Sequence, residues 1–279
     1  MLLLVIAILS VAAAGLVGFW SGAYESLAWL WVLPATFVGA FLVLVLLSLA
    51  VLGLSCVAVD TGKPQEKNSR YYRFLLHLFC DAGLFLTRVR IHTTGLEQLP
   101  EDGRFLLVSN HIHDLDPVML LTKMRKSKLA FISKKENTTK PVVGKMMHKT
   151  LCQLLNREND REAMKTILNC VQIIQEDKAS IAVFPEGYTS MDGLLHPFRN
   201  GVFKIAQKAK VPIVVCTLQN TNKIVKNALK LKPTDVQLHL LKVLYPQDVQ
   251  GMTAMEIGNF VHKMMEDDLG DDLVLKEMP

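Results

Sequence analysis

A chain of 279 residues, half of them hydrophobic and with a formal net charge of +5, is long enough for one large domain or two small ones. No Lys/Arg stripe interleaved with aromatic residues runs through it, which speaks against nucleic acid as a partner. The modest positive excess beside apolar segments suits an anionic membrane surface or a phosphorylated substrate instead.

The opening stretch, MLLLVIAILSVAAAGLVGFW, is long enough to cross a hydrocarbon core of roughly 30 Å. No Lys or Arg precedes its apolar run, so it reads as a membrane helix and poorly as a signal peptide. From Ser26 to Val59 there is no charged side chain. As one straight helix, Leu27–Val59 would reach about 50 Å, more than a perpendicular crossing needs. It is therefore expected to tilt, to bend near Pro34 or to run partly along the interface. SGAYES, between the two stretches, fits the turn of a helical hairpin. Lys63, Lys67, Arg70 and Arg73 follow closely and place the remainder on the cytoplasmic side of a membrane. Residues 1–60 are thus expected as a membrane-embedded hairpin or anchor. Residues 61–87 are expected as an interfacial linker, because Leu75–Leu86 is apolar but for His77 and Asp81.

From residue 88 onward strand-like and helical runs alternate. The expected strands are Val89–Thr93, Phe105–Ser109, Lys128–Ser133, Ser180–Phe184, Val211–Leu218 and Val236–Leu244. The expected helices are Pro117–Lys123, Val143–Leu155, Asp160–Gln175, Val202–Lys210 and Ala254–Asp267. Asn159 with Glu162, and Thr253 with Glu256, carry N-terminal capping signatures. The alternation predicts an α/β domain over 88–279, a mostly parallel sheet flanked by helices. Sites in such sheets lie at the carboxyl ends of strands, which singles out NHIHDLD, KKENTTKP and PEGYTSMDG. The five cysteines, Cys56, Cys80, Cys152, Cys170 and Cys216, form no CxxC pair and point to a reducing compartment.

NHIHDLD admits three readings. His111, His113, Asp114 and Asp116 could begin a metal site, but no second ligand-spaced cluster completes it, so no metal is expected. Asp116 ahead of Pro117 could simply cap a helix. In a loop leaving a strand, Asp116 could instead fold back on His111, fix its tautomer and stabilise the imidazolium. No Gly-x-Ser-x-Gly elbow or nucleophilic Cys stands beside it, so the simpler chemistry is a base acting directly on a substrate hydroxyl.

At this point the sequence resembles a known family. NHIHDLD is similar to the Asn-His-x4-Asp motif of the glycerolipid acyltransferases, the lysophosphatidic acid acyltransferase family. SKKENTTKPVVG, with Lys134, Glu136, Pro141 and Gly144 in register, resembles the family's Lys-x-Glu-Leu…Pro-x-x-Gly block. VFPEGYTSMDG resembles Phe-Pro-Glu-Gly-Thr-Arg-Ser, and KVPIVVCTLQN resembles the Val-Pro-Ile-Val-Pro block, so the likeness covers residues 88–220.

The resemblance implies the glycerol-3-phosphate acyltransferase-like fold behind an N-terminal hydrophobic helix pair. It also implies transfer of an acyl chain from acyl-CoA or acyl-carrier protein to the free hydroxyl of lysophosphatidic acid. No organic cofactor is implied, and the partners are membrane lipid, the lysophospholipid acceptor and the thioester donor. His111 is implied as general base and Asp116 as its orienting partner. Glu186 joins the catalytic set, and Asn110, Phe184, Pro185, Gly187 and Thr189 fall to substrate binding. Backbone N–H groups near Gly187 are expected to hold the oxyanion.

The sequence departs from the pattern at Asn137, at Tyr188 and at Thr189, where the family has Leu, Thr and a phosphate-contacting Arg. Thr189 cannot make a charge-assisted bidentate bond, so Lys134 and Arg157 are the expected phosphate ligands, with Arg199 weaker. Other lysolipids or glycerol 3-phosphate remain alternative acceptors. A metal-dependent membrane hydrolase and a non-catalytic lipid-binding relative are the rival classes.

Overall fold

The computed structural model describes residues 1–156, 159–190 and 192–275. Two helices open the chain, α1 (Leu2–Trp20) and α2 (Trp29–Val57), and pack as a hairpin. The buried residues of α1 are Ile6, Ser10, Ala14 and Gly18, a mostly small residue at every fourth position. A Cβ on Gly18 would lie 2.6 Å from a methyl of Leu33, so glycine lets the two helices approach closely there. α2 continues through Pro34 as one helix, and of its residues only Cys56 is buried. Both helices are long and apolar enough to cross a membrane.

α3 (Arg70–Leu86) begins at Ser69, whose hydroxyl accepts from the Tyr72 N–H at 3.4 Å. It is amphipathic: Leu75 and Leu84 face the domain, while Phe74, Phe85 and Leu86 stay exposed. Arg73 is not a free flanking charge. Its buried guanidinium donates to Asn68 Oδ1 and to the carbonyls of Lys128, Leu129 and Thr150, which ties α3 to the sheet. The hairpin joins the domain at the same place. Cys56, Leu75 and Met146 form a small core there, Tyr72 Oη donates to Ser55 O, and Lys145 Nζ donates to Val59 O, each of the two bonds 2.8 Å long.

The domain that follows is built on β1 (Val89–Thr94), β2 (Leu106–Ser109), β3 (Ala130–Ser133), β4 (Gln153–Leu154), β5 (Ile181–Val183), β6 (Ile213–Gln219) and β7 (Thr234–Leu244). These make one sheet in the order β1-β7-β6-β2-β5-β3-β4. β6, β2, β5, β3 and β4 run parallel; β7 is antiparallel to β6, and β1 is parallel to β7. The sheet is therefore mostly parallel, with a reversed pair at one side. The helices are α4 (Asp116–Lys123), α5 (Pro141–Lys149), α6 (Asp160–Gln175), α7 (Lys204–Ala209), α8 (Ile224–Leu229) and α9 (Ala254–Leu269).

The pleat divides the core. Leu106 and Val108 turn to the side covered by α6, α7 and α9, while Phe105 and Leu107 turn to the side covered by α3, α4 and α8. Central strands buried on both faces, such as LLVS and IAV, are continuous apolar runs; β7, with one face wetter, alternates.

Three expectations need correction. The helix expected over Val143–Leu155 stops at Lys149, because Leu151 takes φ +67° and turns the chain into β4. The helix expected over Val202–Lys210 is a tight 3-10 turn at Asn200–Phe203 followed by α7. α8, not expected at all, sits between β6 and β7. The capping signatures differ in outcome. Thr253 and Glu256 form a reciprocal capping box. Asn159 caps α6, but the Glu162 side chain accepts from Asn156 Nδ2 at 2.7 Å instead of reaching back to the cap.

Candidate active site

β2 delivers the loop 110–115 to the carboxyl edge of the sheet. Asn110 is buried, and its amide spans the Leu218 backbone, accepting from N–H at 2.7 Å and donating to C=O at 2.9 Å. It locks β2 to β6 and turns the chain, and its amide is taken up by backbone instead of facing a ligand.

Asp116 begins α4, yet it does not cap that helix. Its Oδ2 faces back into the loop and accepts from Ile112 N–H, His113 N–H and the His111 ring, each at 2.8 Å. The Thr221 hydroxyl donates to Oδ1. Because Oδ2 already accepts two backbone N–H bonds, His111 Nδ1 is the donor to it, which leaves Nε2 with its lone pair free to accept. The pair is well shielded: the Asp116 side chain is 0% exposed and that of His111 16%. Phe184, at the end of β5, stacks on the imidazole at 4.1 Å and 15°, and Phe131 stacks behind it at 5.9 Å. The ring is held at its Nδ1 edge and on one face.

Glu186 belongs to the turn after β5. One carboxylate oxygen accepts His111 N–H at 2.7 Å and the other His196 N–H at 3.2 Å, and the side chain has no exposed surface. It clamps the two loops together and does not line the cavity beside His111. Burial pushes its carboxyl up to about 8 against the opposing pull of those two N–H donors. An acid whose value is 4.5 when unfolded and about 8 when folded favours the fold fully below the lower value and loses that contribution as pH rises through the upper one. Glu186→Gln is therefore expected to flatten the fall in stability between about pH 5 and about pH 8. Unfolding midpoints measured across that range check it, and an unchanged slope contradicts it.

Pro185 is buried, and its carbonyl accepts Arg199 N–H at 2.8 Å. Gly187 has φ +86°, and its own N–H closes the turn onto Phe184 O at 3.0 Å. That N–H is already engaged, so it is not a free donor in this turn. Among the described residues the N–H groups of Tyr188 and Thr189 donate to nothing, and both residues line the cavity.

Thr189, expected in substrate binding, also touches the base, a contact the sequence did not disclose. Its Oγ1 lies 3.1 Å from His111 Nε2 and 3.1 Å from Asp114 Oδ1. Asp114 thus borders the site, whereas His113 turns its Nδ1 to Leu115 N–H at 3.2 Å. Among the described residues no group of three or more His, Cys, Asp and Glu is disposed to hold a metal.

A cavity of 570 Å³ opens at His111 and runs between α3, α4, α5 and β3. Leu76 and Cys80 (α3), Val118 and Leu121 (α4), and Val143 and Met146 (α5) supply much of its apolar wall. Lys134 and Lys140 also border it; both are exposed and make no ion pair among the described residues. Arg199 is exposed and away from the cavity, and Arg157 lies outside the described residues. All five cysteines are free.

Residues 90–219 match the family model described as Acyltransferase. The segment belongs to the acyltransferase family. A chloroplastic 1-acyl-sn-glycerol-3-phosphate acyltransferase of Brassica napus is 33% identical over 197 residues, 68% of this chain and 56% of that protein. The 1-acyl-sn-glycerol-3-phosphate acyltransferases of Saccharomyces cerevisiae and Haemophilus influenzae are each 28% identical. Those matches cover 63% and 61% of this chain, and 57% and 71% of those proteins. The chain spans about half the length of two chloroplastic relatives it matches, 56% and 43%. The fold of the 1-acyl-sn-glycerophosphate acyltransferase PlsC from Thermotoga maritima superposes with a TM-score of 0.62 at 18% identity. That superposition covers 82% of this chain and 90% of PlsC. The acyltransferase-family segment holds every element around His111 except the hairpin, α3, α8 and the last strand and helix.

Proposed function

We propose that the protein is a membrane-bound O-acyltransferase. It moves a fatty acyl group from a thioester, acyl-CoA or acyl-carrier protein, to the free hydroxyl of lysophosphatidic acid, giving phosphatidic acid. The observation that carries this reading is His111, held through Nδ1 by Asp116 at 2.8 Å, with Nε2 turned to the mouth of an apolar cavity. The names of the relatives supply the acceptor.

In this reading Nε2 removes the proton from the acceptor hydroxyl as that oxygen attacks the thioester carbonyl. The Asp116 carboxylate stabilises the imidazolium, and the same ring returns the proton to the departing thiolate. The N–H groups of Tyr188 and Thr189 are suitably free to receive the oxyanion. The acyl chain takes the cavity, whose 570 Å³ lies within the usual range of about 300–1,000 Å³ for small-molecule sites. The hairpin embeds in the bilayer, α3 rests its exposed Phe74, Phe85 and Leu86 at the interface, and the catalytic domain lies on the cytoplasmic face.

The acceptor phosphate falls to Lys134 and Lys140, the two exposed cations bordering the cavity, with Arg157 as a third candidate. Lys134→Ala and Lys140→Ala are expected to raise the KM for the acceptor several-fold while leaving that for the thioester nearly unchanged. Saturation curves for both substrates check this, and an unaltered acceptor KM in both variants would hand the phosphate to other cations. The reading as a whole is tested by presenting purified protein with a panel of lysolipids and glycerol 3-phosphate, each with CoA and carrier-protein donors.

A further inference from the structure

The contact of Thr189 with His111 has a second chemical meaning. A hydroxyl at 3.1 Å from an imidazole Nε2, with the ring's Nδ1 held at 2.8 Å by a buried carboxylate, is the arrangement of nucleophile, base and orienting acid. The nucleophile escaped the sequence because it stands on the turn after β5, remote along the chain, and in no serine-elbow pattern. Thr189 also borders the cavity assigned to the thioester, and among the described residues its own N–H is unengaged, as an oxyanion donor at the nucleophile must be. We propose that the protein is in addition a thioester hydrolase, working through an acyl ester on Thr189 whenever no acceptor hydroxyl occupies His111 Nε2. This rests on the thioester donor of the proposed function.

The steps balance within the site. The Thr189 hydroxyl proton passes to His111 Nε2 while Oγ1 bonds to the thioester carbonyl carbon. The C–S bond breaks, and the leaving thiolate takes the proton from the imidazolium. A water molecule then gives its proton to Nε2 and attacks the ester carbonyl. The Thr189 oxygen leaves, is reprotonated by the ring, and a free fatty acid departs.

Asp114 explains how one base serves both reactions. Thr189 Oγ1 carries a single hydrogen and has two acceptors at equal distance, His111 Nε2 and Asp114 Oδ1, both 3.1 Å away. With Nε2 free, the hydrogen points to the ring and the oxygen is a nucleophile. When an acceptor hydroxyl takes Nε2, the hydrogen turns to Asp114 and the oxygen is quiet. The acceptor therefore suppresses hydrolysis by occupying the base.

The test uses the full chain in detergent micelles with palmitoyl-CoA and no lysolipid, quenched in acid and digested for peptide mass spectrometry. The expected result is one acyl group on the peptide bearing Thr189, with slow release of thiol and fatty acid. Thr189→Val should carry no adduct, and its acceptor-free thiol release should fall at least about 10²-fold. Thr189→Ser should restore the adduct. Wild-type protein that shows no adduct yet acylates lysophosphatidic acid in the same preparation overturns the inference alone. So does an adduct on a cysteine, or a valine variant that hydrolyses as fast as wild type. A preparation that releases no thiol with or without lysolipid overturns both the thioester reading and the inference.

Discussion

Replacing His111 with alanine should lower kcat by about 10²–10⁴-fold, the usual contribution of a positioned general base. The loss should fall on turnover more than on binding. The imidazole forms one wall of a cavity whose other walls are largely apolar, and the acyl chain keeps those contacts. The fold should survive, since the ring's buried neighbours are one stacked phenyl and one carboxylate that still accepts two backbone N–H bonds. Steady-state kinetics with both substrates varied, alongside an unfolding curve, separate the two effects. Turnover within a few-fold of wild type would remove the base from the mechanism.

Asp116 should show a split that no purely structural residue would. Asn at this position can accept the Ile112 and His113 N–H bonds through its carbonyl oxygen and turn its amide to Thr221, so the loop keeps its shape. It cannot stabilise an imidazolium as a carboxylate does, and kcat should fall by a factor approaching about 10⁴ at nearly unchanged stability. Asp116→Ala should lose activity and stability together. It leaves the two N–H groups and the ring N–H without their acceptor, at about 1–3 kcal/mol for each buried group orphaned. Thermal unfolding and kinetics on both variants check this. An asparagine variant with near wild-type turnover would make Asp116 a loop brace and nothing more.

These predictions show where sequence suffices and where it stops. The histidine and aspartate five residues apart were readable because a strand end, a polar loop and Pro117 fix the start of α4, and a loop of that length allows a fold-back. Which way the Asp116 carboxylate points was not readable, since capping its own helix and bracing the loop behind it use the same residue type. The antiparallel course of β7 was hidden because the β6–β7 connection is long and lacks the short turn that marks a hairpin. Its alternating burial was the available clue. β4 was lost inside an apolar run that reads as helix until Leu151 turns with positive φ. Thr189 lies 78 positions from His111, and no local periodicity reports such a contact. Glu186 was read from its motif as part of the catalytic set; its two backbone bonds make it a clamp, a role only the return of the 186–196 loop discloses.

The most direct measurement is the stoichiometry of the reaction. Purified protein in vesicles, given saturating lysophosphatidic acid and an acyl thioester, should release one thiol for each phosphatidic acid formed, with both falling together in His111→Ala. Thiol released without any acylated lipid while the acceptor is saturating, or lipid acylated at the wild-type rate without His111, would contradict the account.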